Sequence, residues 1–552
     1  MNLSPSFSLI SFPSPPKTNI MKKLHHFFST CLLLLILTSF GFGQTSGWPT
    51  SYTNLNVRAM TIDASGNIYI TGPADGGKKT GLDFVTVKYA PNGHLEWSAQ
   101  YNGPSSGEDW PYAIAVDVNG NVFVTGRSFT SKSGGSSYNF DYATVKYNPQ
   151  GGLVWARRFG SAGNKNDVAQ DVKVDVAGNA YVTGYTDASL VLGGGNAIVT
   201  IKYNQSGDTA WTAKYDVLPN IYGDSGNPNQ EQAYSLAVDA DGNVCIAGTV
   251  LVKYNSSGLI AWEDRSTNDR REVLVDHSNN VFTTGFSGKT SKYDASGNLL
   301  WETSSTAGFW DIALDQTGNV YVTGNISDAS GNSSDFWTVK YDGNNNGSEL
   351  WSRRFNGSAN STDFGRSITV DNSGNVYVTG HSTAASGRNT ITVFRVIKYN
   401  DNGEQWVTTD EGDGFVIETD AGGNVYATGT VPGTRSTAAG TKTYKFTPSS
   451  PAPRSVTTAP TVEAQQNNFS LKNYPNPFSQ STIIEYKLPV EGKVKLTVFD
   501  LSGHEIATLV NEYKPIGIHK INFKANKLPA GTYFYRIQAE KYTETKKFII
   551  LK

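Results

Sequence analysis

Residue types that often carry chemistry are scarce in this chain of 552 residues. It has 7 His and 2 Cys, and it contains no HExxH or CxxC sequence. Only His94, His277 and His381 lie in its long central part, and their spacing is not that of metal ligands. The sequence therefore predicts no bound metal, no cofactor and no catalytic nucleophile.

Carboxylates are more plentiful, and two of them beside aromatic rings could bind a glycan or, at a suitable separation, hydrolyse one. We expect acidic loop residues to be solvated and loop tryptophans to pack, and we assign no catalytic residue. The acidic candidates are Glu108, Asp109, Asp167, Asp187, Asp224, Asp328, Asp363, Asp410, Glu411 and Asp413. The aromatic candidates are Trp110, Trp310, Trp337, Tyr138 and Tyr222.

Eight other aspartates begin copies of one motif, D-x-x-[GN]-N-x-x-x-[TA]-G. The copy at 239–243, DADGN, resembles a calcium-binding run, but the other copies vary at the third position and Val250 stands where the loop would need Glu. An Asp side chain accepts hydrogen bonds from turn N–H groups, and Gly permits positive φ, so we predict turn caps. The aspartates are Asp63, Asp117, Asp175, Asp239, Asp276, Asp315, Asp371 and Asp420.

Two further elements follow each aspartate, a K-Y (once K-F) strand and then, in seven copies, a Gly with a Trp strand. Alternating β-branched and aromatic residues separated by Gly-Asn turns predict four short antiparallel strands in each copy. Such a unit, repeated every 40–60 residues or so, is typical of a β-propeller blade. The Trp strands contain Trp97, Trp155, Trp211, Trp262, Trp301, Trp351 and Trp406.

The last copy, ending at Phe446, has no Trp strand after it, whereas Gly47-Trp48 stands near the other end of the array. We predict that this N-terminal segment supplies the outer strand of the last blade and closes the ring. The expected fold is an all-β propeller of eight blades over 44–447. Seven is the alternative, if the short units at 239–301 do not both form full blades.

These units resemble the SBBP repeats of secreted bacterial proteins, whose pattern combines DxxGNVYVTG, DFxTVKY and GxxxW. The resemblance covers some 400 residues and implies a β-propeller with a nominal seven blades. On such a scaffold, ligand specificity usually resides in variable loops. The longest and most varied loops are expected at 72–84, 126–140, 184–197, 215–233, 324–335 and 380–392.

The composition changes after the repeats. Residues 448–467 are rich in Pro, Ser and Thr and predict a linker, and the alternating segments of 468–552 predict a small β-sandwich. This last segment resembles the type A C-terminal sorting domain of the Bacteroidota type IX secretion system. The matching residues include Asn473, Tyr474, Pro475, Asn476, Pro477, Phe478, Leu528, Pro529, Gly531, Tyr533, Lys546 and Lys547.

The resemblance implies a route through the periplasm, an interaction with the type IX machinery, and a final location in the medium or on the cell surface. The start of the chain agrees with this route. A basic start at Met21 and the apolar run at 31–42 predict a signal peptide within 1–43, with Met21 as the true start and no transmembrane segment in the mature chain. Cys245, then the only remaining thiol, is expected in the core.

The net charge of -2 conceals two opposed parts. Residues 44–467 hold 30 basic and 41 acidic residues, whereas 468–552 hold 13 and 7. The acidic body argues against nucleic acid as a partner. We predict a non-enzymatic binding module for an extracellular glycan or protein. The alternatives are a secreted polysaccharide- or peptide-degrading hydrolase or lyase, and a structural component of the envelope.

Overall fold

The computed structural model describes residues 48–447, except 78–80, 134–136, 162–164, 188–195, 217–230, 267–268, 328–332, 387–388, 401–402 and 434–438, and residues 470–551, except 489–491, 515–516, 526–527 and 540–541. The chain divides into two compact units, Met1–Val456 and Thr457–Lys552, here called the large unit and the tail unit. The predicted signal region and linker lie outside the described residues.

The large unit consists of four-stranded antiparallel sheets, and no helix occurs among its described residues. The first four sheets contain β2 Ala59–Ile62, β3 Ile68–Asp75, β4 Leu82–Tyr89, β5 Leu95–Tyr101; β6 Asp109–Val116, β7 Val122–Ser133, β8 Ser137–Tyr147, β9 Leu153–Phe159; β10 Asp167–Val174, β11 Ala180–Thr186, β12 Ala197–Tyr203, β13 Thr209–Tyr215; β14 Ala233–Val238, β15 Val244–Gly248, β16 Leu251–Tyr254 and β17 Ile260–Asp264.

The next four sheets repeat the same order. They contain β18 Glu272–Val275, β19 Val281–Thr284, β20 Lys289–Tyr293, β21 Leu299–Ser304; β22 Gly308–Leu314, β23 Val320–Ser327, β24 Ser334–Asp342, β25 Ser348–Phe355; β26 Phe364–Val370, β27 Val376–Ser386, β28 Asn389–Asn400, β29 Gly403–Glu411; β30 Asp413–Thr419, β31 Val425–Val431, β32 Gly440–Phe446 and, from the other end of the chain, β1 Thr50–Thr53. The predicted all-β class with repeated four-stranded units is confirmed.

The eighth sheet combines the two ends of the large unit. Strand β1 pairs antiparallel with β32, with Thr50 opposite Thr443 and Thr53 opposite Gly440. The first strands of successive sheets, here called the central strands, contact one another in chain order, and β30 of the last sheet contacts β2 of the first. The central strands are β2, β6, β10, β14, β18, β22, β26 and β30.

Tryptophan side chains join neighbouring sheets. Nε1 of Trp97 in the first sheet donates to the carbonyl of Pro149 in the second at 2.9 Å, and Trp155 and Trp211 make the same bond one sheet further along. A Cβ on Gly151, whose φ is +84°, would lie 2.7 Å from the Trp97 ring, and Gly207, Gly258, Gly297 and Gly347 lie equally close to the Trp ring of the preceding sheet.

Each motif copy ends in Thr-Gly (once Ala-Gly), which we call the TG pair. The glycine of this pair is required for a different reason. In β10 the register shifts between Ala169 and Asp171, and this bulge brings the Val168 carbonyl against Gly184. A Cβ on Gly184 would lie 2.0 Å from that oxygen. The glycines of the repeats thus occupy positive-φ turns, contacts with a Trp ring of the neighbouring sheet, and close backbone approaches within a sheet.

Two segments expected to be long loops are extended hairpins, so that expectation is wrong. Residues 126–140 lie mostly in β7 and β8, which pair as far as Ser133 and Ser137, and 380–392 lie mostly in β27 and β28, which pair as far as Ser386 and Asn389. Their Ser- and Thr-rich composition conceals the strands, because backbone pairing there continues without the apolar alternation of a half-buried sheet. Cys245 is fully buried, as predicted.

The tail unit has two antiparallel sheets around one hydrophobic core. Ile484 of the first sheet and Leu496 and Tyr535 of the second are all buried in that core. The first sheet has the order β33 Ser470–Tyr474, β34 Ser481–Leu488 and β37 Gly517–Lys524, and the second β36 Glu505–Lys514, β35 Gly492–Phe499, β38 Gly531–Ala539 and β39 Tyr542–Ile550.

Candidate functional site

Each motif aspartate has both carboxylate oxygens bonded within its own turn. Oδ1 of Asp63 accepts the N–H groups of Ser65 and Asn67 at 2.9 Å, and Oδ2 accepts Asn67 Nδ2 at 2.7 Å and the Tyr69 hydroxyl at 2.9 Å. The Asn bonds recur in all eight turns. These aspartates act as turn caps in the geometry observed.

The fourth turn lacks the tyrosine of the first turn, as do the second and fifth turns, which have Phe123 and Phe282 at that position. Cys245 stands where the first turn has Tyr69, so no hydroxyl reaches Asp239. Lys253 Nζ instead lies 3.1 Å from Asp239 Oδ2. Burial raises the pKa of Asp239, but the hydrogen bonds of Asn243 and Lys253 outweigh it and leave the pKa lowered. The ammonium group of Lys253 thus contacts the Asp239 carboxylate that a calcium ion would need as a ligand.

No group of three or more His, Cys, Asp or Glu side chains is arranged to hold a metal ion in the part of the chain that the structure describes. Likewise, no described segment forms a helix long and apolar enough to cross a membrane.

Three loop carboxylates expected to be solvated are buried, so that expectation is wrong for Asp109, Asp167 and Asp363. Asp109 Oδ2 accepts the Gly103 N–H at 2.6 Å, and Asp167 accepts that of Ser161 at 2.7 Å. Burial raises the pKa of all three. Each of these carboxylates accepts hydrogen bonds from backbone N–H groups near the start of a central strand, and these bonds satisfy donors that are shielded from water.

The other loop candidates are dispersed. Asp187 accepts the Asn166 N–H at 3.3 Å, and Asp410 pairs with Lys442 and Tyr444. Trp337 packs beside a core cluster, and Tyr138 lies against Phe129 with the ring centroids 6.0 Å apart. Trp110, Glu411, Asp413 and Trp310 belong to the cavity and ring described next, whereas Tyr222, Asp224 and Asp328 lie outside the described residues.

A cavity of about 900 Å³ opens beside the two ends of the large unit, on the side of the loops that follow the TG pairs; we call it the seam cavity. Trp110 from the second sheet forms part of its wall. Glu411 and Asp413, around the turn from β29 to β30, line it as well. Asp75 is the third carboxylate of the wall. The other lining residues are uncharged: Asn54, Leu55, Asn56, Pro73, Leu82, Thr390, Ile391, Thr392, Gly412, Thr430, Val431, Pro432, Ala439 and Gly440.

Eight residues at one equivalent position form what we call the bulge ring. Each lies immediately before the residue that pairs with the Thr (once Ala) before the last glycine of a motif copy, as Tyr112 precedes Ala113, the partner of Thr125. The sequence analysis missed them, although each stands five residues before a motif aspartate. All are half-buried. The ring consists of Arg58, Tyr112, Gln170, Tyr234, Arg271, Trp310, Arg366 and Phe415.

Charged side chains from four central strands lie next to this ring; Asp171, Lys173, Glu272, Asp311 and Glu418 are here called the central charge cluster. Lys173 Nζ lies 3.1 Å from Asp171 Oδ1 and also interacts with Glu272 and Glu418. Burial, reinforced by Asp311, raises the pKa of Glu418 to about 7, and burial also raises that of Glu272. These strands therefore face a shared central space.

The raised pKa values predict that stability falls as the pH rises. Glu418 binds its proton more tightly in the folded chain than in the unfolded chain, so its contribution is complete below about pH 4.5 and is lost as the pH passes about 7. We expect Glu418→Gln to add about 1 kcal/mol to the free energy of unfolding at pH 8 and little at pH 4, since water in the cluster limits the effect.

Urea unfolding of the wild type and the variant at both pH values measures this difference. Glu349→Gln, at an exposed position, is the control and should leave the pH dependence unchanged. An equal loss of stability at both pH values in Glu418→Gln would contradict the prediction.

The tail unit brings its sorting-motif residues together. Asn473 Oδ1 accepts the Tyr535 hydroxyl at 3.1 Å, and Asn476 Oδ1 accepts the Ile549 N–H at 2.9 Å. Phe478 is buried and packs on Phe548 at 5.4 Å. The motif therefore fastens the first strand of the unit to the last.

Other residues of the motif bond within the tail unit, pack against its core or lie on its surface. The Tyr533 hydroxyl donates to the carbonyl of Pro529 at 2.9 Å, and that of Tyr474 donates to Glu485 at 2.9 Å. Leu528 packs against the core, and Lys546 and Lys547 are exposed.

Two known families match this chain. The family described as beta-propeller repeat matches residues 96–128, 154–190 and 350–387, and the family described as secretion system C-terminal sorting domain matches residues 472–551. The chain therefore carries SBBP propeller repeats and a type IX sorting domain. It is a secreted or cell-surface protein.

Individual relatives are distant. An uncharacterized WD repeat-containing protein of Acanthamoeba polyphaga mimivirus is 26% identical over 201 residues, which make up 30% of this chain and 14% of that protein. Among solved structures, BamB from Moraxella catarrhalis is 15% identical with a TM-score of 0.39, over 73% of this chain and 97% of that one.

Two further solved structures are similar to parts of the chain. Sqt1 from Chaetomium thermophilum is 9% identical with a TM-score of 0.44, over 73% of this chain and 98% of that one. PorZ, a surface component of the type IX secretion system of Porphyromonas gingivalis, is 12% identical with a TM-score of 0.31, over 90% of this chain and 82% of that one.

Proposed function

We propose that the large unit is a closed ring of eight four-stranded blades. The contact between β30 and β2 and the pairing of β1 with β32 support this closure. The units at 239–301, on which the seven-bladed alternative depends, contribute two four-stranded sheets. We likewise propose domains at 44–447 for the propeller, 448–467 for the linker and 468–552 for the sorting domain, the last a β-sandwich.

We further propose that the exported propeller is a non-enzymatic binding module that holds an extracellular ligand, a glycan or a protein segment, in the seam cavity. The observation that carries this proposal is the cavity itself. Its volume of about 900 Å³ lies in the usual range for ligand pockets. Its wall combines Trp110, whose ring also contacts Arg58 and Arg127, with threonine, asparagine and backbone groups that can form hydrogen bonds with a sugar or a peptide.

The same cavity contains the carboxylates on which an enzyme would depend. Asp413 is already engaged, with Arg366 at 3.1 Å from Oδ2 and His381 Nδ1 at 3.0 Å from Oδ1. A carboxylate with a partner on each oxygen is poorly suited to act as nucleophile or base, because a cationic partner such as Arg366 stabilises its charged form and lowers its basicity. This favours binding over the alternative of a hydrolase or lyase.

Arrays of extracellular polysaccharides and peptides, probed with the full chain, test this proposal. A bound ligand should lose about 5- to 150-fold in affinity with Trp110→Ala, because contact with an aromatic ring contributes about 1–3 kcal/mol. Tyr138→Ala is the matched control, since Tyr138 is an exposed aromatic residue outside the cavity wall.

The reaction products of each bound ligand are analysed in the same experiment. Turnover that disappears in Glu411→Gln would replace the binding proposal with the enzyme. Equal affinity of the Trp110→Ala and Tyr138→Ala variants would place the ligand elsewhere on the molecule.

A further inference from the structure

Two arginines next to Trp110 have no oxygen acceptor. Most of the described arginines of the large unit donate to one, as Arg157 does to the Gly207 carbonyl at 2.6 Å. By contrast, neither Arg58 nor Arg127 forms a hydrogen bond or an ion pair with another described residue. Both side chains are half-buried, and a charge removed from water is normally paired.

The Trp110 ring holds both guanidinium groups in place. Trp110 and Arg127 lie opposite each other in the pairing of β6 with β7, and the central guanidinium carbon of Arg127 lies 5.6 Å from the centroid of the Trp110 ring. Arg58, immediately before β2 of the first sheet, lies 5.2 Å from the same ring centroid. Stacking fixes the plane of a guanidinium and leaves its N–H edge available for a ligand. The two groups are therefore oriented before any ligand arrives.

The two cations also repel each other. Burial lowers the pKa of Arg58, Tyr112 opposes this effect, and the nearby charges of Arg366 and Arg127 lower the pKa further. The charge of Arg366 is compensated by Asp413, whose Oδ2 lies 3.1 Å from its guanidinium. Arg58 and Arg127 remain a pair of uncompensated like charges, which a bound anion would stabilise.

Carboxylates of the surrounding structure are engaged elsewhere or belong to other sheets. Glu108 accepts Nε1 of Trp110 at 3.3 Å and forms no ion pair with either arginine. The central charge cluster comes from the third, fifth, sixth and eighth sheets. In the first two sheets the equivalent positions hold the uncharged residues Ala59, Thr61, Ala113 and Ala115.

The arginine pair is also distinct from the acidic wall of the seam cavity. Trp110 lines that cavity, whereas neither Arg58 nor Arg127 does. The pair is therefore a separate candidate site, and it does not depend on the binding function proposed for the cavity.

We propose that Arg58 and Arg127 together bind one dianionic oxyanion, a phosphate group that is either free or the monoester of an extracellular molecule. Two guanidinium groups carry two positive charges, which a dianion balances and a single carboxylate does not. The N–H fork of each guanidinium matches the spacing of phosphate oxygen atoms. The bound group bridges the first and second sheets, because each sheet contributes one of the arginines.

Calorimetric titration of the full chain with inorganic phosphate, glucose 6-phosphate and acetate at pH 8, where phosphate is a dianion, tests the inference. We expect acetate, with its single charge, to bind at least tenfold more weakly than phosphate. The double variant R58Q/R127Q should lose at least tenfold in affinity for phosphate. R271Q is the matched control and should bind normally, because Arg271 also stacks on aromatic rings but lies in the fifth sheet and interacts with Asp269.

Thermal unfolding and circular dichroism separate ligand binding from packing. Phosphate at about 100 times its dissociation constant should raise the Tm of the wild type by about 3 °C and leave that of R58Q/R127Q unchanged. Without phosphate, the double variant should be at least as stable as the wild type, because the repulsion is removed. The variant R58K/R127K keeps the charges but not the forks, and it should retain only part of the affinity.

Equal phosphate affinity of the R58Q/R127Q and R271Q variants, or no binding of phosphate to the wild type, would overturn the inference. Acetate bound as tightly as phosphate would overturn the assignment to a dianion. Tighter binding of glucose 6-phosphate than of inorganic phosphate would support a monoester as the ligand, and the reverse order would support the free ion.

Discussion

Replacing Trp48 with alanine is expected to lower the free energy of unfolding of the large unit by about 3–5 kcal/mol. Trp48 is only 5% exposed, and its ring meets that of Tyr426 edge-on at 5.6 Å. Its Nε1 donates to the Pro91 carbonyl at 3.1 Å, so one side chain joins the eighth sheet to the first. Without it, β1 loses its anchor and the edge of β32 becomes accessible to other chains.

Trp97→Ala is the matched control for this experiment. Trp97 makes the equivalent bond between the first and second sheets, where no chain end is involved. Urea unfolding of both variants should give losses of similar size, and size-exclusion chromatography should show association in the Trp48 variant only. A Trp48→Ala loss below about 1 kcal/mol beside a large Trp97→Ala loss would show that β1 is a peripheral strand and does not close the ring.

Deleting residues 468–552 is expected to reduce the amount of protein at the cell surface and in the medium to background. The large unit should still fold, because its hydrophobic clusters are separate from the core of the tail unit. The truncated chain should therefore accumulate, soluble and protease-resistant, in the periplasm. Cell fractionation followed by immunoblotting measures its distribution.

A point variant separates loss of the sorting signal from general damage. Tyr513→Ser, at a side chain that is 64% exposed and outside the named motif residues, should leave export unchanged. In contrast, Asn476→Ala should weaken export, because Asn476 bonds the motif to the final strand through Ile549 and Lys547. Appearance of the truncated chain at the surface in normal amounts would refute the sorting role of the tail.

These two experiments test different properties of the protein. The first tests how the repeats of the large unit are fastened together, and the second tests where the chain is sent. Neither depends on the ligand, so both remain informative whatever the binding experiments show.

Local patterns in the sequence were sufficient for much of the fold. The motif at Asp63 predicts a turn from nearest neighbours alone, and the turn observed is closed by Ser65 and Asn67 within four residues of it. The K-Y and Trp strands follow for the same reason, since each pairs with the strand next to it in the chain. The long hairpins at 126–140 and 380–392 were missed, because their polar residues do not show the alternation that identifies a buried strand.

The candidate site depended instead on residues brought together from distant repeats. The sequence predicted loop positions for the acidic candidates. Only the structure shows that Asp109 and Asp363 are buried and that Asp413 is paired with Arg366. Arg58 and Arg271 lie more than 200 positions apart and have no local pattern to mark them, although each stands five residues before a turn aspartate.

The sequence by itself therefore determined the repeat, its strands and turns, and the export signal at the C-terminal end, because each of these is encoded in contacts between near neighbours or in a contiguous motif. The tertiary structure alone decided which side chains face the seam cavity and the central space. A bulge in six of the eight central strands turns one residue out of the regular alternation, and the contacts between neighbouring sheets bring distant repeats together.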